Sequence, residues 1–235
     1  MLRRMGHAGW ILAATLVLGA PGAPAQGAPP CRLALALAID VSRSVDDAAY
    51  ALQVTGVAGA LFDPEVRALM LHPSGTVAVA VYEWSGRREQ RLVTGWRVIA
   101  TEDDIDRLAA AVVRHERSFR GLTAVGAALS RGRRLMARAP DCDWQVIDIS
   151  GDGRNNDGPD PAQVYAREDF GDITVNGLAI GGWESDILRW YRAAVIRGPG
   201  AFAEYAERAE DFPDAFRRKL VRELDPRLFG GAPGP

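Results

Sequence analysis

Residues 33–44 read LALALAIDVSRS, and this stretch decides the fold class. Its apolar part is continuous, ends at Asp40 and is too short for a typical helix. A run of this kind indicates a strand that is buried on both faces of a parallel sheet. A second strongly apolar segment, residues 144–149, ends shortly before Gly151-Asp152 and predicts a second buried strand.

Strand and helix patterns alternate along the rest of the chain. Apolar residues at helical spacing follow Asp40, and Ser85-Gly86 separates two β-rich segments that predict a hairpin. We predict helices at about residues 46–61, 101–116, 123–139, 160–168, 185–196 and 211–224, and strands at about 33–39, 77–84, 91–99, 144–149, 173–180 and 201–204. This alternation predicts a doubly wound α/β fold with a mostly parallel central sheet and helices on both faces.

The composition is that of an ordinary globular protein. Of the 235 residues, 48% are hydrophobic and 25% are charged, which excludes a disordered chain and a multi-span membrane protein. The 28 basic and 30 acidic residues give a formal charge of −2, so the chain lacks the basic surplus of a nucleic-acid-binding protein. Lys219 is the only lysine, which leaves a single candidate for lysine-based chemistry.

The first residues have the pattern of a secretory signal peptide. Arg3 and Arg4 precede an apolar run at residues 10–20, and Ala23-Pro24-Ala25 follows as a small-x-small exit. The apolar run is about half of the roughly 20 residues that a permanent membrane anchor needs. We therefore expect cleavage between Ala25 and Gln26, no stable membrane span afterwards, and a periplasmic or secreted mature protein. The predicted organisation is a signal peptide at 1–25, a short leader at 26–31, one domain at 32–225 and a disordered tail at 226–235.

Export permits a disulfide between the two cysteines that remain after cleavage, Cys31 and Cys142. Each cysteine comes just before one of the two buried strands. If those strands are parallel neighbours, both cysteines lie at the same end of the sheet, and we predict that they are bonded. The alternative is a pair of unbonded, buried thiols that pack as small hydrophobic groups.

Carboxylates and hydroxyls follow the same two strands at their other ends. Asp40, Ser42 and Ser44 come after the first strand, Asp152 comes after the second, and Thr123 opens a helix beside glycines. These are hard oxygen donors without histidine or thiolate, a set that suits Mg²⁺, with Mn²⁺ or Ca²⁺ as alternatives. Cys31 precedes Asp40 by nine residues, and Cys142 precedes Asp152 by ten. If the cysteines lie together at one end of two parallel strands, the aspartates therefore lie together at the other end.

At these positions the sequence resembles the metal-ion-dependent adhesion site of the von Willebrand factor type A (vWA) domain. The family pattern is Asp-x-Ser-x-Ser after the first strand, a threonine on a Gly-flanked loop, and Asp-Gly after the fourth strand. Asp40, Ser42, Ser44, Thr123 and Asp152 match it in order, and the resemblance covers about residues 32–225. Within that family, the chain is most similar to small exported bacterial members of unknown function.

The resemblance implies a protein-binding module of the adhesion or scaffold type, and not an enzyme. The five matched residues would hold a divalent ion, with the aspartates binding directly or through water. An acidic side chain of an unknown partner protein would take the remaining coordination position. No nucleic-acid partner is expected.

Two other interpretations are open. Asp40 and the serines could be local turn and helix caps, and Asp152 could belong to a simple turn. Alternatively, residues 151–157 resemble a motif of the haloacid-dehalogenase-like phosphatases, which are Mg²⁺-dependent enzymes. Those enzymes need a second acid where this chain has Ser42, and a basic residue before the last motif, whereas Lys219 follows it.

Overall fold

The computed structural model describes residues 30–182 and 184–229. In chain order, the strands and α-helices are β1 (Cys31–Asp40), α1 (Asp47–Phe62), α2 (Pro64–Met70), β2 (Thr76–Trp84), β3 (Gln90–Ile99), α3 (Glu102–Arg114), α4 (Val125–Met136), β4 (Cys142–Gly151), α5 (Pro161–Arg167), β5 (Thr174–Ile180), α6 (Ile187–Trp190), β6 (Ala203–Ala206) and α7 (Phe212–Leu224). A π-helical turn at Tyr191–Val195 follows α6, and short 3-10 turns occupy Ala209–Asp211 and Pro226–Phe229.

The strands form one six-stranded sheet in the order β3-β2-β1-β4-β5-β6. All neighbouring strands are parallel except β2 and β3, which form the predicted antiparallel hairpin. The strand predicted from residues 33–39 lies in the middle of this sheet, between β2 and β4. Helices pack on both faces, so the prediction of a doubly wound α/β fold is confirmed.

The alternation of leucine and alanine in β1 divides the core into two layers. Leu33, Leu35 and Leu37 face the layer that contains α1, α2, α3 and α7. The intervening alanines face the layer that contains α4, α5 and α6, together with the large Tyr82 and Trp84 of β2. Burial of each leucine side chain stabilises the fold by about 1.5–3 kcal/mol.

A disulfide joins Cys31 and Cys142, whose Cα atoms are 4.5 Å apart. The two cysteines are register partners at the amino ends of β1 and β4. In the chain-entropy model, a cross-link of this span (111 residues apart in sequence) stabilises a fold by about 4–5 kcal/mol. The bond links the amino ends of these strands, whereas Asp40 and Asp152 lie at their carboxyl ends.

Some segments differ from the sequence prediction. Residues 64–70 form an additional short helix, α2, which Asp63 caps. The helix predicted at 185–196 widens into a π-helical turn at Tyr191, and this residue packs into the core beside Gly177. The chain continues as a 3-10 turn at Pro226–Phe229, where the sequence predicts that a disordered tail begins.

Several expectations concern residues outside the described part of the chain. The predicted signal peptide, its cleavage point and residues 230–235 all fall there. β1 begins at Cys31, one residue before the predicted start of the domain. Within the described residues, no helix has both the length and the apolar character needed to cross a bilayer.

Candidate metal centre

Loops at residues 41–46, 121–124 and 152–157 meet beyond the carboxyl ends of β1 and β4. Backbone hydrogen bonds hold them together. The N–H of Arg43 donates to the C=O of Gly121 at 2.8 Å, and the N–H of Asn156 donates to the C=O of Thr123 at 2.8 Å. These bonds fix the loops to one another, and the strands beneath set their position.

Asp40, the last residue of β1, has a buried carboxylate that is only partly hydrogen-bonded. The residue is 0% exposed, and its Oδ1 accepts a hydrogen bond from the N–H of Ser42 at 2.7 Å. Its Oδ2 is buried and has no hydrogen-bond partner among the described residues. A buried carboxylate oxygen in this state is costly unless a cation or another donor reaches it.

Gly151 lies directly against this carboxylate. A Cβ at position 151 would lie 2.9 Å from Asp40 Oδ2 and 2.7 Å from the hydroxyl oxygen of Tyr191. Any side chain here would press on both groups, so the site requires glycine. Within the described structure, the Tyr191 hydroxyl and the Trp84 indole N–H are also buried without partners.

Ser42, Ser44 and Asp152 form a hydrogen-bonded series beside Asp40. The hydroxyl oxygens of the two serines are 3.2 Å apart, and Ser44 donates to Asp152 Oδ1 at 2.6 Å. Asp152 is largely buried, whereas Ser44 is exposed. The loop after β1 is thereby attached to the loop after β4, with its outer edge open to solvent.

Thr123 lies on the second loop, next to this series. It is nearly buried, and its N–H donates to Asn156 Oδ1 at 2.8 Å. A Cβ at Gly153 would lie 3.5 Å from Thr123 Oγ1, so the hydroxyl lies against the residue that follows Asp152. Ser44 and Thr123 also line the same surface depression. The structure therefore brings all five predicted ligand residues to one end of the sheet.

The two carboxylates of this centre have no positive partner in the described residues. Burial, and then the charge of Asp152, raise the pKa of Asp40 to about 8. Burial also raises the pKa of Asp152, against the hydrogen bond from Ser44. No lysine, arginine or histidine in the described chain forms an ion pair with either carboxylate. Arg117 lies nearby, but its guanidinium donates to three backbone carbonyls of the loop after β1.

The donor set suits a hard divalent cation. Two carboxylates balance the charge of such an ion, and the hydroxyls of Ser42, Ser44 and Thr123 add neutral oxygen donors. No group of three or more histidine, cysteine, aspartate or glutamate side chains is placed to hold a metal in the described ranges. The present set has only two carboxylates and takes its other donors from hydroxyls.

Residues that support the centre are less evident from the sequence. Asn156 holds Thr123, and Asn155 Oδ1 accepts a hydrogen bond from the N–H of Gly126 at 3.1 Å. Their only signal is their place in the string GDGRNND. Gln53 Nε2 donates to the C=O of Asp40 at 3.2 Å, and a single glutamine within a helix gives no such signal.

Lys219 and His115 lie apart from this centre. Lys219 is buried and pairs with Asp148 and Glu223. His115 Nε2 lies 3.1 Å from Glu83 Oε2. The lysine that a phosphatase of the haloacid-dehalogenase type would use is therefore engaged elsewhere, and Ser42 stands in place of its second acid.

The family model described as "protein of unknown function (DUF1194)" matches residues 30–228, most of the chain. The chain belongs to this family. No curated protein matches it. The family's description assigns no activity, so membership of DUF1194 leaves the function to be argued from the site.

Solved structures with a similar fold include vWA domains. A von Willebrand factor type A protein from Catenulispora acidiphila gives a TM-score of 0.60 at 18% identity, covering 83% of this chain and 43% of that one. Proximal thread matrix protein 1 from the mussel byssus, in a structure with a zinc-occupied MIDAS motif (the metal-ion-dependent adhesion site), gives 0.55 at 17% identity, covering 82% and 46%. The PilB minor pilin from Streptococcus sanguinis gives 0.59 at 13% identity, covering 89% and 65%.

The DUF1194 chain spans less than half of the first two of these proteins. At such identities the likeness concerns the fold alone. The resemblance seen in the sequence is confirmed at that level, because this DUF1194 protein has a vWA fold.

Proposed function

We propose that this DUF1194 protein is an exported binding module that holds a divalent cation and, through it, an acidic group of a partner protein. Asp40, Ser42, Ser44, Thr123 and Asp152 bind the ion, the carboxylates directly or through water. The ion supplies the positive partner that neither carboxylate has among the described side chains.

The unsatisfied Oδ2 of Asp40 carries this proposal. It is a buried carboxylate oxygen close to a second buried carboxylate, and the described residues offer it neither a hydrogen bond nor an ion pair. Asp148 and Glu223 also have buried oxygens without hydrogen-bond partners, but Lys219 forms ion pairs with both of these residues. A turn cap uses one side-chain oxygen, as Asp40 Oδ1 does for the N–H of Ser42, and gives no reason for the second oxygen to be buried without a donor. A divalent ion would neutralise both carboxylates, and the neighbouring hydroxyls would serve as its neutral oxygen ligands.

A partner carboxylate fits the open side of this centre. Ser44 is exposed, so an ion beside it is reachable from solution. A hard cation with few protein carboxylates keeps part of its shell for water, which an incoming carboxylate replaces. The metal then binds more tightly when the partner is bound, and the partner binds more tightly when the metal is bound.

The proposal places the mature protein in the periplasm or outside the cell, after cleavage of residues 1–25. The Cys31–Cys142 disulfide supports this location, because disulfides persist in oxidising compartments. Structures with a similar fold include a pilus adhesin and a byssus matrix protein, which supports a binding function of the same general kind. Mg²⁺ is the ion we propose, with Mn²⁺ and Ca²⁺ as alternatives.

Thermal melting tests the ion site. The mature protein is melted in EDTA and then with millimolar Mg²⁺, Mn²⁺, Ca²⁺ or Zn²⁺, the last because a mussel relative in fold carries zinc. An ion present at 100 times its Kd adds about 2.7 kcal/mol, so we expect the Tm to rise by about 5–10 °C.

Variants of the two aspartates show whether the ion that raises the Tm binds at this centre. Asp40→Ala and Asp152→Ala should fold and show no ion-dependent rise, because the ion has lost a carboxylate. Asp172→Ala removes an exposed aspartate at the other end of β5 and should behave as wild type. An equal rise in Asp40→Ala would place the ion elsewhere and overturn the proposal.

A further inference from the structure

Three neighbouring surface depressions lie along the loops of the candidate metal centre and share lining residues, and we call the three together the trough. The first and second share Ser44 and Asp46. The second and third share Arg43, Gly121 and Leu122. Three of the proposed ligand residues line the first two depressions. The ion site therefore lies along the trough, with a depression continuing on each side.

One end of the trough combines apolar side chains with the charged residues Asp46, Arg208 and Glu210. Leu52 of α1, Ile180 at the end of β5 and Phe212 at the start of α7 line it. This depression has a volume of about 280 Å³, just below the range of ordinary small-molecule sites. It suits an apolar side chain of a larger partner better than a separate ligand.

The opposite end is basic. Arg43, Arg87 and Arg88 line it, and all three are exposed. Arg43 and Arg88 form no ion pair with the described residues, and Arg87 has only a long contact, 3.7 Å from Asp157 Oδ1. Glu89 turns inward, because its Oε2 accepts hydrogen bonds from the hydroxyl of Ser85 and the N–H of Gly86. This end therefore presents positive charge that the fold itself does not use.

Leu122 lies between the ion site and the basic end. It is 43% exposed, so a molecule bound in the trough would contact it.

We propose that the trough binds an extended acidic segment of a partner protein. One carboxylate of the segment binds the ion, further acidic side chains pair with Arg43 and Arg88, and an apolar side chain on the other side enters the depression at Leu52 and Phe212. This inference rests on the proposed function. An extended chain advances about 3.3 Å per residue, so a short segment places successive side chains along the trough.

Fluorescent peptides test the order of these contacts. The first probe is a neutral Gly-Ser peptide with a single central aspartate. The second adds acidic residues on one side of that aspartate and a leucine on the other, and is made in both chain orders. Binding is measured by anisotropy with the ion that raises the Tm, in EDTA, and at low and high NaCl.

With the ion, we expect the second peptide in one of its two orders to bind at least about fivefold tighter than the first, because exposed charge pairs contribute modestly and additively. High NaCl should remove most of this gain, since the arginines are exposed. Arg43→Glu/Arg88→Glu should abolish the acidic contribution. The single-aspartate peptide should bind this variant no more tightly than wild type.

Matched controls separate the trough from general surface effects. Arg134→Glu/Arg138→Glu reverses two exposed charges near the end of α4, away from the trough, and should keep the gain. Ala48→Trp narrows the first depression and should reduce the contribution of the leucine. Ala51→Trp lies on the same helix outside the trough and should not.

Each outcome distinguishes the two proposals. Equal affinities of both peptides with the ion would overturn the trough inference and leave the metal site in place. Equal binding of the acidic peptide in EDTA would overturn the ion-dependent contact and the inference built on it. Binding of neither peptide to a protein that the ion stabilises would overturn the trough inference and the proposed contact with an acidic group, and would leave the ion site in place.

Discussion

Asp40 and Asp152 lie at the carboxyl edge of the sheet, whereas Asp148 and Glu223 lie deeper, between β4 and α7. Lys219 joins the deeper pair: its Nζ is 2.7 Å from Asp148 Oδ1 and also contacts Glu223. The outer pair has no such cation among the described residues. Both pairs are buried, so each carries the cost of moving carboxylates out of water.

The deeper pair contains its own cation, although Asp148 Oδ2 and Glu223 Oε2 have no hydrogen-bond partner among the described residues. Lys219 is 0% exposed, and Asn176 Nδ2 donates to Glu223 Oε1 at 2.8 Å. The outer pair meets the surface at Ser44. In both regions, buried carboxylates need a positive partner. In the deeper region an internal lysine supplies it, and in the outer region we propose that an ion from solution does.

Removal of the internal cation should have the largest effect. Lys219→Met leaves Asp148 and Glu223 buried without a positive partner, and we expect the free energy of unfolding to fall by about 3–5 kcal/mol. Urea unfolding in EDTA measures this loss. Adding Asp148→Asn and Glu223→Gln to the same variant should recover part of it, and a loss under about 1 kcal/mol would show that the network is not stabilising.

The pH dependence of stability comes next. Burial, and then the charge of Asp148, raise the pKa of Glu223 to about 7, above its ordinary value of 4.5. The folded state therefore binds this proton more tightly, so its stabilising contribution is complete at low pH and is lost as the pH rises through 7. From about pH 4, below the ordinary pKa, to about pH 8 we expect a loss of about 3 kcal/mol from this group.

Glu223→Gln isolates that contribution. The glutamine keeps an acceptor for Lys219 and Asn176 but does not titrate, so urea unfolding should show a weaker decline with pH than in wild type. The raised pKa of Asp40 also makes stability fall as the pH rises, but Asp40 is present in both proteins and does not affect the comparison. Parallel declines in the two proteins would assign the pH dependence to other groups.

The smallest effect is expected at the outer pair without metal. Asp40→Asn keeps the acceptor for the N–H of Ser42 and removes the repulsion with Asp152. In EDTA we therefore expect the free energy of unfolding to change by less than about 1 kcal/mol. A loss as large as that of Lys219→Met, again from urea unfolding, would make Asp40 a structural residue and erase the contrast between the two pairs.

Much of the fold was predictable because burial leaves a direct pattern in the sequence. The unbroken apolar run of β1 indicated a central strand, and the Ser85-Gly86 turn separated the hairpin strands. Four of the five candidate ligands were predictable because they follow strand ends, and parallel strands bring their ends together. Thr123 was predictable from its place beside glycines at the start of a helix. Whether these residues bind metal stays a prediction.

Other features left no readable pattern. The π-helical turn that begins at Tyr191 places this side chain against Gly177 and Gly151, and no local pattern indicates these contacts. Lys219 lies beside the apolar positions of α7, but lysine is usually exposed, so its burial was not predictable from periodicity.

By itself, the sequence determined which strand lies at the centre of the sheet, how strands and helices alternate, and which residues end β1 and β4. Local spacing and hydrophobic pattern suffice for these. Only the tertiary structure decided that Asp40 Oδ2 stays unpaired, that Lys219 forms ion pairs with the deeper carboxylates, and that the exposed arginines share a trough with the candidate ligands. Those outcomes depend on distances between residues far apart in the chain, and such distances are set by sheet register and side-chain packing.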